Sequence, residues 1–167
     1  MHVRAFDAAA DAVLLPALAA ILVEAVDQGA SIGFMAGFST AEALAFWTRK
    51  SESAGNIILI ALDEEALLGT VTLCIDTPPN QPHRADVQKM IVARSARRQG
   101  VGATLLAAVE TEAWRQNRNL LVLDTISDSA AARLYERCGW TCVGSIADYA
   151  LMPGGGLAPT TIYIRRL

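Results

Sequence analysis

The segment Val92-Ala93-Arg94-Ser95-Ala96-Arg97-Arg98-Gln99-Gly100-Val101-Gly102-Ala103 gathers residues able to grip an anion. It joins a β-type run to a helical pattern that starts near Gly100. Glycines at a helix start let the backbone approach a ligand closely. The first amides of such a helix have no partner inside it, and the dipole favours negative charge beside them. Arg97 and Arg98 add fixed positive charge. Together these features make a pyrophosphate cradle; an ordinary helix start with solvated arginines is the competing reading. Two other phosphate loops do not fit. A dinucleotide fingerprint needs a third glycine where Leu105 stands, and a P-loop needs Gly-Lys-Ser/Thr, which is absent.

The charge around this segment agrees with a small anionic ligand. Between His83 and Arg118 stand seven basic residues (Arg84, Lys89, Arg94, Arg97, Arg98, Arg115, Arg118) and three acids (Asp86, Glu110, Glu112), while the whole chain carries −3. A nucleic-acid partner would ask for a chain that is basic overall, so none is expected. A solvated surface patch is the plain alternative. Two histidines, His2 and His83, and three cysteines without a Cys-x-x-Cys pair give no zinc-type cluster, so no metal is expected. Cys74, Cys138 and Cys142 read as half-buried thiols in a reducing compartment.

These residues need a frame. A length of 167 residues with 53% apolar content suits a single domain over 1–167. The longest apolar stretch, Ala12 to Val23, lies between Asp11 and Glu24 and contains Pro16. It falls short of the about 20 residues that span a membrane, so no membrane partner is expected. Asp7 and Asp11 sit where a signal peptide would be positive, which points to the cytoplasm.

The frame reads as follows. Val3 to Phe6 is a short strand. Asp11 caps a helix to about Gln28, with Leu14, Leu18, Ile21, Leu22 and Ala25 on one face and Gly29 at its end. After a glycine-punctuated loop, Thr40 caps a second helix to about Ser53. Asn56 to Leu62 and Leu67 to Ile75 form a hairpin around Asp63-Glu64-Glu65. Val87 to Val92 is a strand, and Gly100 to about Asn117 a long helix. Leu120 to Leu123 is a buried strand. Ser129 caps a helix that ends at Cys138-Gly139, where Gly139 suits a left-handed terminator. Trp140 to Ile146 and Thr160 to Ile164 are the last strands. The order β-α-α-β-β-β-α-β-α-β-β argues for an α/β (α+β) fold, a mixed sheet with helices on both faces.

Arg97-Arg98-Gln99-Gly100-Val101-Gly102 resembles the Arg/Gln-x-x-Gly-x-Gly/Ala signature of the GNAT superfamily of N-acetyltransferases. Ala131-x-x-Leu134-Tyr135-Glu136-x-x-Gly139-Trp140 resembles its second signature, which usually ends in Gly-Phe. The resemblance covers essentially the whole chain. Gly29 to Phe34, His83-Arg84-Ala85-Asp86-Val87, Leu123-Asp124-Thr125 and Tyr149-Ala150-Leu151-x-Pro153-x-Gly155 look like the tabtoxin-resistance type within that superfamily. The resemblance implies a mostly antiparallel sheet with one splayed parallel strand pair, and acetyl-CoA as acetyl donor lying in the gap.

The same resemblance implies roles. Met90, Ile91 and Val92 would meet pantetheine and the acetyl group through backbone groups, where an amide can stabilise the oxyanion of acyl transfer. Arg97, Arg98, Gln99, Gly100, Val101, Gly102 and Ala103 would hold the pyrophosphate. Tyr135 matches the tyrosine near the CoA sulfur and would protonate the departing thiolate; a core tyrosine is its alternative. Strand alternation puts Asp86 with Gln88 and Met90 on one face. Some relatives carry a carboxylate base at this position, so Asp86 is the candidate general base, against a structural pairing with Arg84 or Lys89. His83 is a second candidate. Asp128 stands where many relatives have asparagine, and a carboxylate cannot donate as an amide does. Asp128 or Ser129 could bond the CoA arm, or Ser129 could simply cap its helix. Ser31, Gly33, Phe34, His83, Asp124 and Tyr149 are the candidate acceptor contacts.

The expected reaction is acetyl transfer from acetyl-CoA to a primary amine of a small molecule, amino-acid-like, peptide-like or antibiotic/toxin-like. A protein or peptide amine acetyltransferase is the alternative within enzymes. A non-catalytic acyl-CoA-binding sensor is the alternative outside them. A homodimer stays open.

Overall fold

The computed structural model describes residues 1–167. Seven strands, β1 (His2–Ala5), β2 (Asn56–Asp63), β3 (Ala66–Cys74), β4 (Arg84–Val92), β5 (Leu120–Ile126), β6 (Thr141–Leu151) and β7 (Leu157–Arg166), form one sheet in the order β1-β2-β3-β4-β5-β7-β6. Four helices accompany it: α1 (Leu15–Asp27), α2 (Thr40–Glu52), α3 (Val101–Arg115) and α4 (Ala130–Arg137). In β2, Ile58 to Leu62 are buried without a break, as are Gly69 to Val71 and on to Leu73 in β3. Consecutive burial of this kind requires cover on both faces of the sheet. The buried apolar residues join in one cluster. Trp47 lies at its centre, fully buried, and donates its indole N–H to the Leu18 carbonyl at 3.0 Å. No helix is long and apolar enough to cross a membrane.

All neighbouring strands are antiparallel except β4 and β5. That parallel pair is in register only over Arg84 with Leu120, Ala85 with Leu121, and Asp86 with Val122. Beyond Asp86 the two strands part. The expected splayed pair in a mostly antiparallel α/β sheet is therefore present.

Several local expectations change. Asp11 caps no helix. Its carboxylate takes Nη2 of Arg4 at 2.7 Å and the Asp7 amide at 2.8 Å, so it ties β1 to the turn before α1. Ser39, not Thr40, caps α2: its hydroxyl accepts from the Glu42 amide, and the Glu42 carboxylate accepts from the Ser39 amide at 2.8 Å, a reciprocal capping box. Strand β4 starts at Arg84, earlier than Val87, because parallel pairing to β5 extends it. Ser129 caps α4 as expected, accepting from the Ala132 amide at 3.0 Å. Gly139 follows with φ of +79°, in the left-handed region.

One irregularity in β4 matters most. Thr70 pairs with Ile91 but Thr72 pairs with Gln88, so β4 carries one extra residue there. Lys89 takes it up with φ of +50°. This β-bulge breaks the alternation of side chains along the strand.

Candidate active site

The cavity at the splay has a volume of about 810 Å³. Its wall comes from five places: the α1–α2 loop, β4, the end of β5, α4, and the β6–β7 hairpin. The α1–α2 loop and the hairpin turn meet, the Ala36 amide donating to the Pro153 carbonyl at 2.9 Å. The wall is mainly apolar, with a few polar groups: Gln88, Lys89, Asp124, Thr125, Ser129 and Tyr135 among them.

Tyr135 projects from α4. Its ring is 5% exposed and packs against Trp140 and Tyr163 at centroid distances of 5.9 and 5.8 Å. The hydroxyl of Tyr163 donates to Glu136 at 2.9 Å, but that of Tyr135 has no protein partner and faces the cavity. Burial pushes its pKa well up, and the negative charge of Asp124 adds to this. Tyr135 is thus held protonated at neutral pH and able to donate.

Asp86 stands where β4 and β5 separate. Arg84 pairs with it, Nη1 to Oδ1 at 3.1 Å. Burial raises its pKa, Arg84 opposes this, and Asp124 adds to it. Asp86 does not line the cavity; Asp124 does, and its carboxylate makes no hydrogen bond or ion pair. The expected face-sharing of Asp86, Gln88 and Met90 holds only for the first two, because the bulge comes after Gln88 and shifts Met90. Gln88 accepts from Lys50 of α2 at 3.2 Å, whereas the Met90 tip lies 3.3 Å from where a Cβ on Gly102 of α3 would stand. Those two contacts belong to opposite faces.

The loop after β4 shows a second arrangement. None of the six consecutive amides from Arg98 to Ala103 donates to a backbone carbonyl. Gly100, the N-cap of α3, has φ of +84°, and Arg98 before it +61°. The Arg97 side chain turns back to the Val92 carbonyl at 3.3 Å, and that of Gln99 to the Ser95 carbonyl at 2.8 Å. The loop therefore offers anions mainly its amides and the free guanidinium of Arg98, which suits a pyrophosphate. Gly102 also has a job that was not expected. A Cβ there would sit 2.8 Å from the Leu134 side chain, so its smallness lets α3 pack against α4.

The cavity thus brings together Ser31, Gly33, Phe34, Met90, Asp124, Ser129, Tyr135 and Tyr149. It excludes others. Ile91 is buried in the core and Val92 pairs with Gly69, so both can meet a ligand only through backbone. Asp128 has φ of +59° and lends its carbonyl to Arg133. His83 precedes β4 and lends its carbonyl to the Asn119 and Leu120 amides, at the closed end of the parallel pair and away from the splay. Lys89 lines the cavity and was not a candidate on sequence. The only signal was a cation beside Gln88 within the strand run Val87 to Val92. No cluster of three or more His, Cys, Asp or Glu side chains is placed to hold a metal ion.

The acetyltransferase (GNAT) family model matches residues 18–140, most of the chain. The chain belongs to this family. Solved GNAT-like structures share its fold over nearly their full length. A ribosomal-protein-alanine N-acetyltransferase of Brucella melitensis has TM-score 0.84 at 23% identity, with 100% of both chains covered. YncA of Salmonella typhimurium, solved with its cofactor acetyl-CoA, has TM-score 0.82 at 21% identity, covering 100% of this chain and 94% of that one. An aminoglycoside 6'-acetyltransferase type Ii has TM-score 0.76 at 17% identity, covering 99% and 97%. The protein is a GNAT acetyltransferase. The free amides of Arg98 to Ala103 and the open edge of β4 suit a phosphate-bearing acyl donor.

Proposed function

We propose that the protein, as one domain, transfers the acetyl group of acetyl-CoA to a primary amine of a small molecule bound in the cavity at the splay. The observation that carries this reading is the Tyr135 hydroxyl, unpartnered and facing a cavity of about 810 Å³ beside a loop of free amides. Acetyl-CoA supplies an activated acyl group as a thioester. The amides of Arg98 to Ala103 and the Arg98 side chain bind its phosphates, with backbone groups of Met90 to Val92 along the pantetheine. Tyr135 donates its proton to the leaving sulfur. Asp124, unpaired in the wall, receives the acceptor's ammonium. Asp86 behind it, with its pKa raised, takes the proton that the amine must lose, through water. Ser31, Gly33, Phe34 and Tyr149 shape the acceptor's surroundings, and Ser129 adds a hydroxyl near the donor.

The tie between Ala36 and Pro153 supports a small acceptor, because it draws two loops together over the cavity. The resemblance of Gly29 to Phe34 and Tyr149 to Gly155 to the tabtoxin-resistance type supports an amino-acid- or toxin-like one. A peptide or protein amine is the second reading. Exposed Ile146, Tyr149 and Leu151 on β6 would give an extended chain an apolar surface to lie on.

The test is direct. Acetyl-CoA should raise the melting temperature more than ATP or NAD does, because a ligand that binds only the folded state stabilises it. CoA release should then appear with one or more small primary amines. Equal shifts from all three nucleotides, or none from acetyl-CoA, would refute the reading.

A further inference from the structure

Lys89 is a cation that the mechanism above leaves unused, and its placement is costly. A non-glycine residue in the left-handed region is strained, and such strain tends to persist where it serves a site. The bulge turns Lys89 toward the α1–α2 loop, where Nζ donates to the Ile32 carbonyl at 2.6 Å. It lies 5.1 Å from the Phe34 ring centroid and 5.8 Å from that of Phe46. An ammonium has three donors, so two are left without a protein acceptor in the cavity wall. Burial lowers its pKa first, Lys50 lowers it further, and Asp124 raises it.

Asp124 lines the same cavity, and its exposed carboxylate makes no hydrogen bond or ion pair within the protein. The two opposite charges feel each other, yet no ion pair joins them. Two unpaired poles across a mostly apolar cavity are complementary to a molecule carrying both charges. We propose that Lys89 and Asp124 form the two poles of a zwitterion site, Asp124 holding the amine to be acetylated and Lys89 holding a carboxylate or similar anion on the same small acceptor. This rests on the acetyltransferase reading and narrows its acceptor to free amino-acid-like molecules. It disfavours a protein amine, whose first residue has its carboxyl locked in an amide.

A merely structural Lys89 would clamp the α1–α2 loop through Ile32 and Phe34. The two roles separate by charge of the acceptor. The probes are L-amino acids with apolar, acidic and basic side chains, each beside its own carboxamide, with 3-methylbutylamine and a leucine-initiated tripeptide as amines lacking a nearby anion. An α-amino carboxamide is the weaker base and offers more free amine at neutral pH, so a preference for the acid cannot come from protonation of the amine.

For the best amino acid, kcat/KM should exceed that of its carboxamide at least about 10-fold, the scale of a hydrogen bond to a charged group. Lys89→Met should erase this preference, mainly through KM, so that acid and carboxamide are then acetylated with about equal kcat/KM whatever loss the two share. Lys89→Arg should restore part of it. Equal loss for acids and amides in Lys89→Met means a loop clamp and overturns the zwitterion site. So does an enzyme that binds acetyl-CoA but acetylates carboxamides or the tripeptide as well as free acids, or acetylates no probe. Absence of any acetyl-CoA shift in melting temperature is a different result, because it removes the acetyltransferase reading itself.

Discussion

A phenol whose ring is buried and whose hydroxyl finds no protein acceptor leaves that hydroxyl free for whatever enters the cavity, water or ligand. Tyr135→Phe removes that hydroxyl and keeps the packing against Trp140 and Tyr163. Turnover should fall by about 10²–10⁴-fold, nearer the low end because thiolate is a fair leaving group, with acetyl-CoA affinity little changed. Asp86→Asn in the same assay should lose most at low pH, with the deficit shrinking as pH rises and free amine accumulates. The pH profiles of wild type and both variants check this; full activity in Tyr135→Phe would remove the acid, and a pH-independent deficit in Asp86→Asn would make that residue a holder of Arg84. Tyr135 was legible because a helix signature surrounds it. The face of Met90 was not, since alternation counts residues evenly and cannot see the extra one at Lys89. The isolation of His83 was hidden as well. It depends on which end of the β4–β5 pair is closed, which is a property of pairing and not of either strand's own sequence.

Helix α3 begins on amides without partners, and its second residue touches α4. These two facts make Gly102 a packing position as much as a loop position. Gly102→Ala should be mild, because the nearest atoms are flexible tips of Leu134 and Met90. Gly102→Val must displace both, so it should lower the melting temperature and also weaken acetyl-CoA binding by moving Met90. Thermal melts with and without acetyl-CoA measure the two effects; a Gly102→Val protein with wild-type stability would contradict the packing role. The helices were well read from their periodic apolar faces, and the Ser129 cap from its residue type. The start of α2 was misjudged by one residue, because Ser39 and Thr40 are both good caps and only the Glu42 reply picks the first.

Across the molecule, the Arg4–Asp11 pair pins the first strand to the turn that leads into α1. Hydrogen bonding to Arg4 holds the Asp11 carboxyl below its ordinary pKa, despite the opposing effect of burial. A group with a depressed folded pKa stabilises above its unfolded pKa and loses that contribution as pH falls through the folded value. Asp11→Ala should therefore cost about 1–2 kcal/mol near neutrality, a moderate figure because Arg4 is partly exposed. The gap between variant and wild type should close below about pH 4, which melting curves across pH would show; a gap that persists in acid would mean that Asp11 acts by packing. The charge count could not reveal this pair, since an aspartate before a helix looks like a cap.

The parallel seam of three residue pairs also has a consequence for how the native state breathes. The sheet is continuous by strand order, yet β5 meets β7 over seven register pairs and β4 over only three. Native-state opening proceeds in cooperative blocks that share many contacts. In amide hydrogen exchange, β1 to β4 and β5 to β7 should accordingly behave as two blocks with separate opening energies, and the boundary between them runs through the place where the chemistry occurs.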